Sequence, residues 1–225
     1  MSPDQFRDAL AVCYGHTLRK LPIQCDGCDS RMDVTHALNC KKGGLVKHGH
    51  DQHRDHCAAV ANMAWKGVEI EPVLREADPA NNIPALQADL KVNGVWEAER
   101  VAFFDVRIIN ADAPSYANQE WQIISRNHAI QKHTKYNRAA EDVRGSFTPL
   151  ICSTEGVLHI EYEAFQRRLS EKLATKWNKP YSQVIWWLKI QTTLSIIRAV
   201  SLRLRGSRKK LRSIPFEDGA AIPLF

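Results

Sequence analysis

The nine residues Val101–Ile109 read VAFFDVRII, a nearly continuous apolar run rich in aromatic and β-branched side chains, and such a run is a strand. Two more strands precede it. Val68, Ile70 and Pro72 alternate with Glu69 and Glu71, and Leu86, Ala88, Leu90 and Val92 alternate with Gln87, Asp89 and Lys91, the period of a half-buried strand. Asn93-Gly94 is a turn signal between the last two. A helix over about residues 118–141 and a strand over residues 148–152 follow. Upstream, a helix opens at Asp51 or His53, carries Cys57, Val60, Ala61 and Ala64 on one face, and closes at Gly67. The order is therefore helix, three strands, helix, strand, an α/β core written αβββαβ.

Helices flank this core. Ser2 and Asp4 can cap a first helix through Phe6, Leu10, Ala11 and Tyr14 that Pro22 ends. Two helices over residues 161–177 and 181–205 are split by Pro180, the second with Trp186, Trp187, Ile190, Leu194, Ile197 and Val200 on its apolar face. The expected division is residues 1–50 for an N-terminal helix and lobe, 51–160 for the core, 161–206 for the C-terminal helices and 207–225 for a basic, mobile tail. No internal repeat is present.

The 31 Lys and Arg exceed the 25 Asp and Glu by six, a moderate excess that suits a polyanionic partner. The excess is concentrated in Arg198, Arg203, Arg205, Arg208, Lys209, Lys210 and Arg212, a stretch without an acid. No stretch of about 18 uncharged apolar residues suggests a membrane span, and nothing reads as a secretory leader. The expectation is an intracellular chain, where clustered cysteines bind metal more often than they form disulfides.

Cys25 and Cys28 form a CxxC pair, and His36 and Cys40 follow as HxxxC. Two thiolates on a tight turn and a second pair one helical turn apart suit tetrahedral, structural Zn²⁺, since four protein ligands leave no position for water. The bland alternative is a pair of incidental thiols near a buried histidine. Cys13, Cys57 and Cys152 sit in apolar periodic contexts and read as core. His48, His50, His53 and His56 crowd the next segment but fall on different faces, so a solvated or DNA-facing helix start explains them as well as a second metal site does. Zinc deaminase chemistry is excluded, because it needs HxE ahead of PCxxC.

Asp89 and Asp105 interrupt apolar strands, and burying a carboxylate there costs several kcal/mol unless it is paired or metal-bound. One Asp from each of two adjacent strands makes a hard-oxygen site suited to Mg²⁺, with Glu71 as a candidate third carboxylate. Lys132 and Lys135, at i and i+3 on the following helix, project to one side. Phosphodiester hydrolysis needs such a cation and such an amine. The alternative is a set of surface ion pairs.

The CDGC…THALNC cluster, the CKKGGLVKH segment, the GVEIEPVL strand, the ADL…FFDV pair and AIQKHTKY together resemble the restriction-like endonuclease region, of the PD-(D/E)XK type, at the C-terminal end of reverse transcriptases from site-specific non-LTR retrotransposons. The resemblance spans most of the chain. It implies the αβββαβ restriction-enzyme core with a CCHC zinc lobe, nicking of target DNA, catalytic Asp89 and Asp105, and a displaced catalytic lysine at Lys132 with Lys135 beside it. Three departures stand out. Ala88 replaces the family's Pro, Lys47-His48-Gly49 replaces its Arg-His-Asn, and Arg107 stands where restriction enzymes carry lysine. Lys47, His48 and Arg107 are then the expected DNA contacts. A single helix ahead of the zinc cluster leaves no room for a polymerase signature, so an excised domain, a degenerate copy or a host-recruited gene is expected.

The expectation is thus a DNA endonuclease, nuclear in location, with structural Zn²⁺ and catalytic Mg²⁺ or Mn²⁺ held by Asp89, Asp105 and Glu71. A zinc-containing DNA-binding domain that has lost cleavage is the alternative. A zinc-stabilised protein-interaction domain is a third reading.

Overall fold

The computed structural model describes residues 1–209. Six strands, β1 (Glu69–Ile70), β2 (Val73–Arg75), β3 (Leu86–Gln87), β4 (Leu90–Asn93), β5 (Val101–Ile109) and β6 (Ser146–Ser153), alternate with helices α1 (Pro3–Cys13), α2 (Val34–Asn39), α3 (Leu45–Ala64), α4 (Trp121–Asp142), α5 (Ile160–Trp177) and α6 (Tyr181–Arg205). The main sheet has the order β1-β4-β5-β6, and β2 pairs with β3 beside it. The β1–β4 and β4–β5 pairs are antiparallel, whereas β6 lies parallel to β5 after the α4 crossover. The fold is a mixed α/β one.

Strand β5 sorts its side chains to two faces. Ala102, Phe104, Val106 and Ile108 pack with α3, α5 and α6, while Phe103 meets Tyr136, Ala139 and Ala140 of α4. Residues 103, 105 and 107 therefore face α4. The two expected strands before β5 are each broken in the middle. Glu71 has φ 55° and Pro72 has no N–H to give, so the first strand bends between β1 and β2. The second bends opposite it: Glu71 N donates to Asp89 O at 2.9 Å and Ala88 N to Pro72 O at 3.1 Å. Ala88 and Leu90 are two residues apart yet bury in different clusters, on the α4 side and the α3 side. Alternation fails at Asp89, which sits in the bend.

Several expected boundaries shift. The second helix begins at Leu45, not at Asp51 or His53, because Gly43 and Gly44 at φ 70° and 72° turn the chain left-handed into it. The division expected at residue 50 falls inside this helix. The first helix stops at Cys13, well before Pro22, with a Ser2–Gln5 capping box at its start. Its expected apolar face is not the buried one: Phe6 and Leu10 are exposed, and Asp8 turns inward to accept two hydrogen bonds from Arg205, at 2.7 and 2.5 Å.

Helix α6 is rotated from expectation in the same way. Trp186 is 67% exposed and Ile190 lies outward, while Val184, Leu188, Thr192, Ser195, Ile196, Ala199, Val200 and Leu204 are buried. The polar members have partners: Ser195 Oγ lies 2.9 Å from His53 Nδ1, and Gln166 Nε2 donates to Thr192 Oγ1 at 2.8 Å. A satisfied hydroxyl can be buried at little cost, which an apolar count overlooks. Cys57 and Cys152 are core residues, but Cys13 is exposed. The start of the expected mobile tail is anchored: Ser207 Oγ and Arg208 N both donate to Asp26 Oδ2, at 2.7 and 2.9 Å, and Arg208 is 3% exposed. Residues 210–225 of that tail, with Lys210 and Arg212, lie outside the described residues.

Candidate active site

The bend brings Asp89 alongside the backbone that carries Asp105. Asp89 Oδ2 accepts a hydrogen bond from Val106 N at 2.6 Å, and Asp89 N donates to Phe104 O at 2.9 Å, so the two acids straddle one stretch of β5. Both carboxylates act on the same two neighbours. The negative charges of Asp89 and Asp105 each help to raise the pKa of His50 and of Tyr136.

Asp105 is buried and faces α4. Its Oδ1 accepts from Tyr136 OH at 2.7 Å, and its Oδ2 lies 2.5 Å from Lys132 Nζ. That Oδ2 is enclosed and has no well-angled hydrogen bond, leaving the ammonium as its compensation. Lys135 reaches the acid only indirectly, donating to Tyr136 OH at 3.1 Å with its Nζ 4.7 Å from the ring centroid. Of the two lysines, Lys132 is the one in contact with a carboxylate. Burial is the first cause of the raised Tyr136 pKa, and Asp105 is the second, so the phenol stays protonated and donates.

Glu71 does not join this pair. Its carboxylate is taken by Arg54 of α3, whose guanidinium also holds Asp55 and Asp51. The expected third carboxylate is replaced in place by a histidine. His50, on α3, has Nε2 3.1 Å from Asp89 Oδ2 and 3.1 Å from Val106 O, with Nδ1 3.2 Å from Asp51 Oδ1. Every neighbour of its ring nitrogens is an acceptor, which favours the protonated ring. Burial works to lower the His50 pKa, but the hydrogen bonds to Asp89 and Asp51 and the charges of Asp89 and Asp105 outweigh it and the net shift is upward. The sequence held one signal for this, a histidine crowd on a helix start, but periodicity does not say which ring faces a carboxylate 39 residues away.

Cys25, Cys28, His36 and Cys40 form the second constellation. Their ligand atoms all lie within 4.8 Å of one another, and theirs is the one group of three or more such side chains among the described residues that could hold a metal. Cys25 Sγ and Cys28 Sγ are each 3.9 Å from Cys40 Sγ, and Cys28 Sγ is 3.4 Å from His36 Nε2. A tetrahedron of Zn–S bonds of about 2.3 Å has S···S edges of roughly 3.8 Å, so the cluster could hold a zinc ion. The helix α2 presents its pair one turn apart: Asp33 caps it by accepting from His36 N at 2.7 Å, and Cys40 N donates back to His36 O. The Ser30 hydroxyl and amide hold the Cys28 thiol down at about 6, toward the metal-binding thiolate, while burial pushes Cys40 up.

Basic residues divide into free and consumed. Lys47 and His48 are exposed on α3, and Gly49 behind them is buried where α6 crosses: a Cβ there would lie 3.0 Å from Ala199 O. Arg107, on the α4 face of β5, lines an open groove shared with Arg31, His36 and Asn39 of the thiol-bearing lobe and with Asn110 and Tyr116. In contrast, Arg203 is 2% exposed, Arg205 is bound to Asp8 and Arg208 Nη2 donates to Ala37 O at 3.0 Å. Of the described basic residues at this end, Arg203, Arg205 and Arg208 are thus spent on contacts within the protein. No described helix is long and apolar enough to cross a membrane. Compared with known proteins, the chain matches no family model and no curated protein.

Proposed function

We propose that this chain is a divalent-metal-dependent DNA endonuclease of the PD-(D/E)XK type, related to the target-nicking domains of non-LTR retrotransposons. The observation that carries the reading is the convergence of Asp89 and Asp105 about Val106, with Lys132 on the second acid. Asp89 and Asp105 would hold Mg²⁺ or Mn²⁺, a hard cation that suits carboxylate oxygen. The ion, when bound, supplies Lewis acidity toward the scissile phosphate and makes water a better nucleophile.

The protein's own groups do the rest. Tyr136, fixed by Lys135 and by the buried carboxylate, keeps Asp105 in one orientation. Lys132 offers an ammonium to the attacking water or to the phosphate oxygens once it turns from Asp105. The water oxygen bonds to phosphorus as the bond to the 3′ oxygen breaks; the water gives up a proton and the leaving oxygen gains one, freeing a 3′ hydroxyl. Arg107, Arg31, Lys47 and His48 supply a basic track for the strand, and Cys25, Cys28, His36 and Cys40 bind Zn²⁺ that stiffens the lobe. On this reading the chain would act on nuclear DNA.

Supercoiled plasmid incubated with the zinc-loaded chain and Mg²⁺ or Mn²⁺ is expected to become open circles. Asp89→Asn and Asp105→Asn should each abolish nicking, and Lys132→Ala should slow it by about 10²- to 10³-fold, the effect of removing one preorganised charge stabiliser. Nicking that persists in both aspartate variants would refute the assignment. One observation favours the second reading, a binding domain without cleavage: Lys132 sits against the oxygen that an ion would use. That reading predicts salt-sensitive retention of DNA with no nicks in any divalent ion.

A further inference from the structure

Asn110, the first residue after β5, is 5% exposed and only half satisfied. Asp112 N donates to its Oδ1 at 3.2 Å, which fixes the orientation of the amide, and its Nδ2 has no partner. An unpaired buried donor is costly, and native proteins keep few of them. Asn110 lines the groove of about 860 Å³ between the thiol-bearing lobe and the loop from β5 to α4. The orphaned donor thus lies where a ligand can satisfy it.

The same groove supplies what a nucleotide needs. Arg107 follows Asp105 by two residues on one face of β5, about 6.6 Å along a strand, so the groove begins beside the buried acid. Arg31 lines it from the lobe, and neither arginine is ion-paired among the described residues. Asp33, the acid on this lining, is occupied in capping α2 through His36 N. Tyr116 lines the loop side. Its hydroxyl lies 2.7 Å from His128 Nε2, its ring stands edge-on to that imidazole, and it packs on the cluster of Ile109, Ile124, Ala129 and Ile151. A half-buried aromatic ring fixed in this way is a platform on which a base can stack.

Depth decides the form of the nucleotide. A base edge in a duplex lies at the bottom of a DNA groove, and a donor recessed in a concave protein surface cannot enter that groove. The base must leave the stack and enter the protein. Hydrogen bonding decides which base it is. Arg107 and the Asn110 amide nitrogen are donors, and guanine presents two adjacent acceptors, O6 and N7, whereas adenine and cytosine each place an amino donor on that edge.

We propose that this groove seats one unpaired guanine nucleotide of the DNA strand, with Tyr116 stacked on the base, Asn110 and Arg107 donating to its O6 and N7, and Arg31 on the phosphate. The ligand class rests on the nuclease reading, and Asn110 becomes a residue that sets base preference.

The test measures binding apart from cleavage. The full zinc-loaded chain, at low salt and without added divalent ion, is titrated into labelled five-residue DNA strands in which one base is flanked by abasic sugars. The guanine strand is expected to bind about 10-fold more tightly than the adenine strand, the discrimination of one well-placed base-edge contact. The ¹⁵N-edited signal of the Asn110 side-chain amide should shift with that strand. Asn110→Asp keeps the acceptor for Asp112 N and replaces the free donor by an acceptor, so the preference should invert toward adenine and cytosine. Tyr116→Leu should weaken every base-bearing strand by about 10-fold without changing their order, and it carries the test if the aspartate variant does not fold. Equal affinity for the four strands, a guanine preference that survives Asn110→Asp, or wild-type binding by Tyr116→Leu would overturn the guanine seat and leave the nicking reading standing. Guanine-selective binding by a chain that leaves plasmid supercoiled in Mg²⁺ and Mn²⁺ would support the seat and overturn nicking alone.

Discussion

At the scale of single residues, burial decides what each ionisable group does. His53 is wholly enclosed between Ser195 and Tyr162, and burial, aided by the charges of His56, His50 and Arg203, lowers its pKa to about 3. Burial and Arg198 lower His56 to about 4. Both values lie below the ordinary 6.5, so the native state favours the neutral rings and the unfolded chain takes up the protons first. Stability is then complete above about pH 6.5 and falls as the medium is acidified, by about 1.4 kcal/mol per pH unit for each ring. Urea unfolding of the zinc-loaded chain at pH 7 and pH 5 is expected to show this loss. His56→Gln should remove roughly half of it. An unchanged slope in that variant would mean that His56 contributes nothing to the acid sensitivity. Tyr136 illustrates the same rule with the opposite consequence: enclosure beside Asp105 holds its phenol protonated, which makes it a lasting donor to a carboxylate.

At the scale of elements, two bends and one close crossing build the site. The split of the expected first and second strands at Glu71–Pro72 and Ala88–Asp89 turns an ordinary hairpin into one that leaves an acid beside its neighbour's backbone. A regular strand would have sent that acid to a fixed face, with Ala88 and Leu90 on the other. Ala88 keeps the N–H that bonds to Pro72 O, which a proline at that position would lack. The α3–α6 crossing explains the glycine at position 49. Gly49→Ala would push a methyl against the Ala199 carbonyl and the Arg203 side chain, 3.0 and 3.3 Å away, and should destabilise by about 1–3 kcal/mol in denaturant titrations. Because α3 carries His50, the partner of Asp89, on the next residue, the proposed nicking activity should fall by more than the loss of folded protein accounts for. A fully stable, fully active Gly49→Ala protein would show that the crossing has slack.

At the scale of the whole molecule, the thiol-bearing lobe and the end of α6 are one unit. Arg208 passes between Gly27 and Gly43, reaches Ala37 O and Arg203 O, and is joined by the Ser207–Asp26 contact. Removing the zinc that this cluster could hold, or replacing Cys28 by Ser, should therefore loosen the lobe and the last turns of α6 together. Hydrogen exchange is expected to accelerate at residues 24–44 and 200–208, while β5 and β6 stay protected. Exchange confined to the lobe would show that the Arg208 anchor does not depend on the ion.

The order of elements, the interrupted strands carrying Asp89 and Asp105, the CxxC and HxxxC spacing and the Lys132/Lys135 pair were readable along the chain, because each depends on neighbours within a turn or a strand. Periodicity of two or 3.6 and a thiol pair on a tight loop are local properties. What the fold alone decided is how distant charges are shared out: Glu71 to Arg54, Arg205 to Asp8, Arg208 to the lobe, and His50 to Asp89. It also decided which faces of α1 and α6 turn inward, where a buried aspartate or hydroxyl displaced an apolar side chain. The physical reason is common to all of these. A buried polar group is stable only with a partner, and such partners come from segments that only tertiary packing brings within hydrogen-bonding distance.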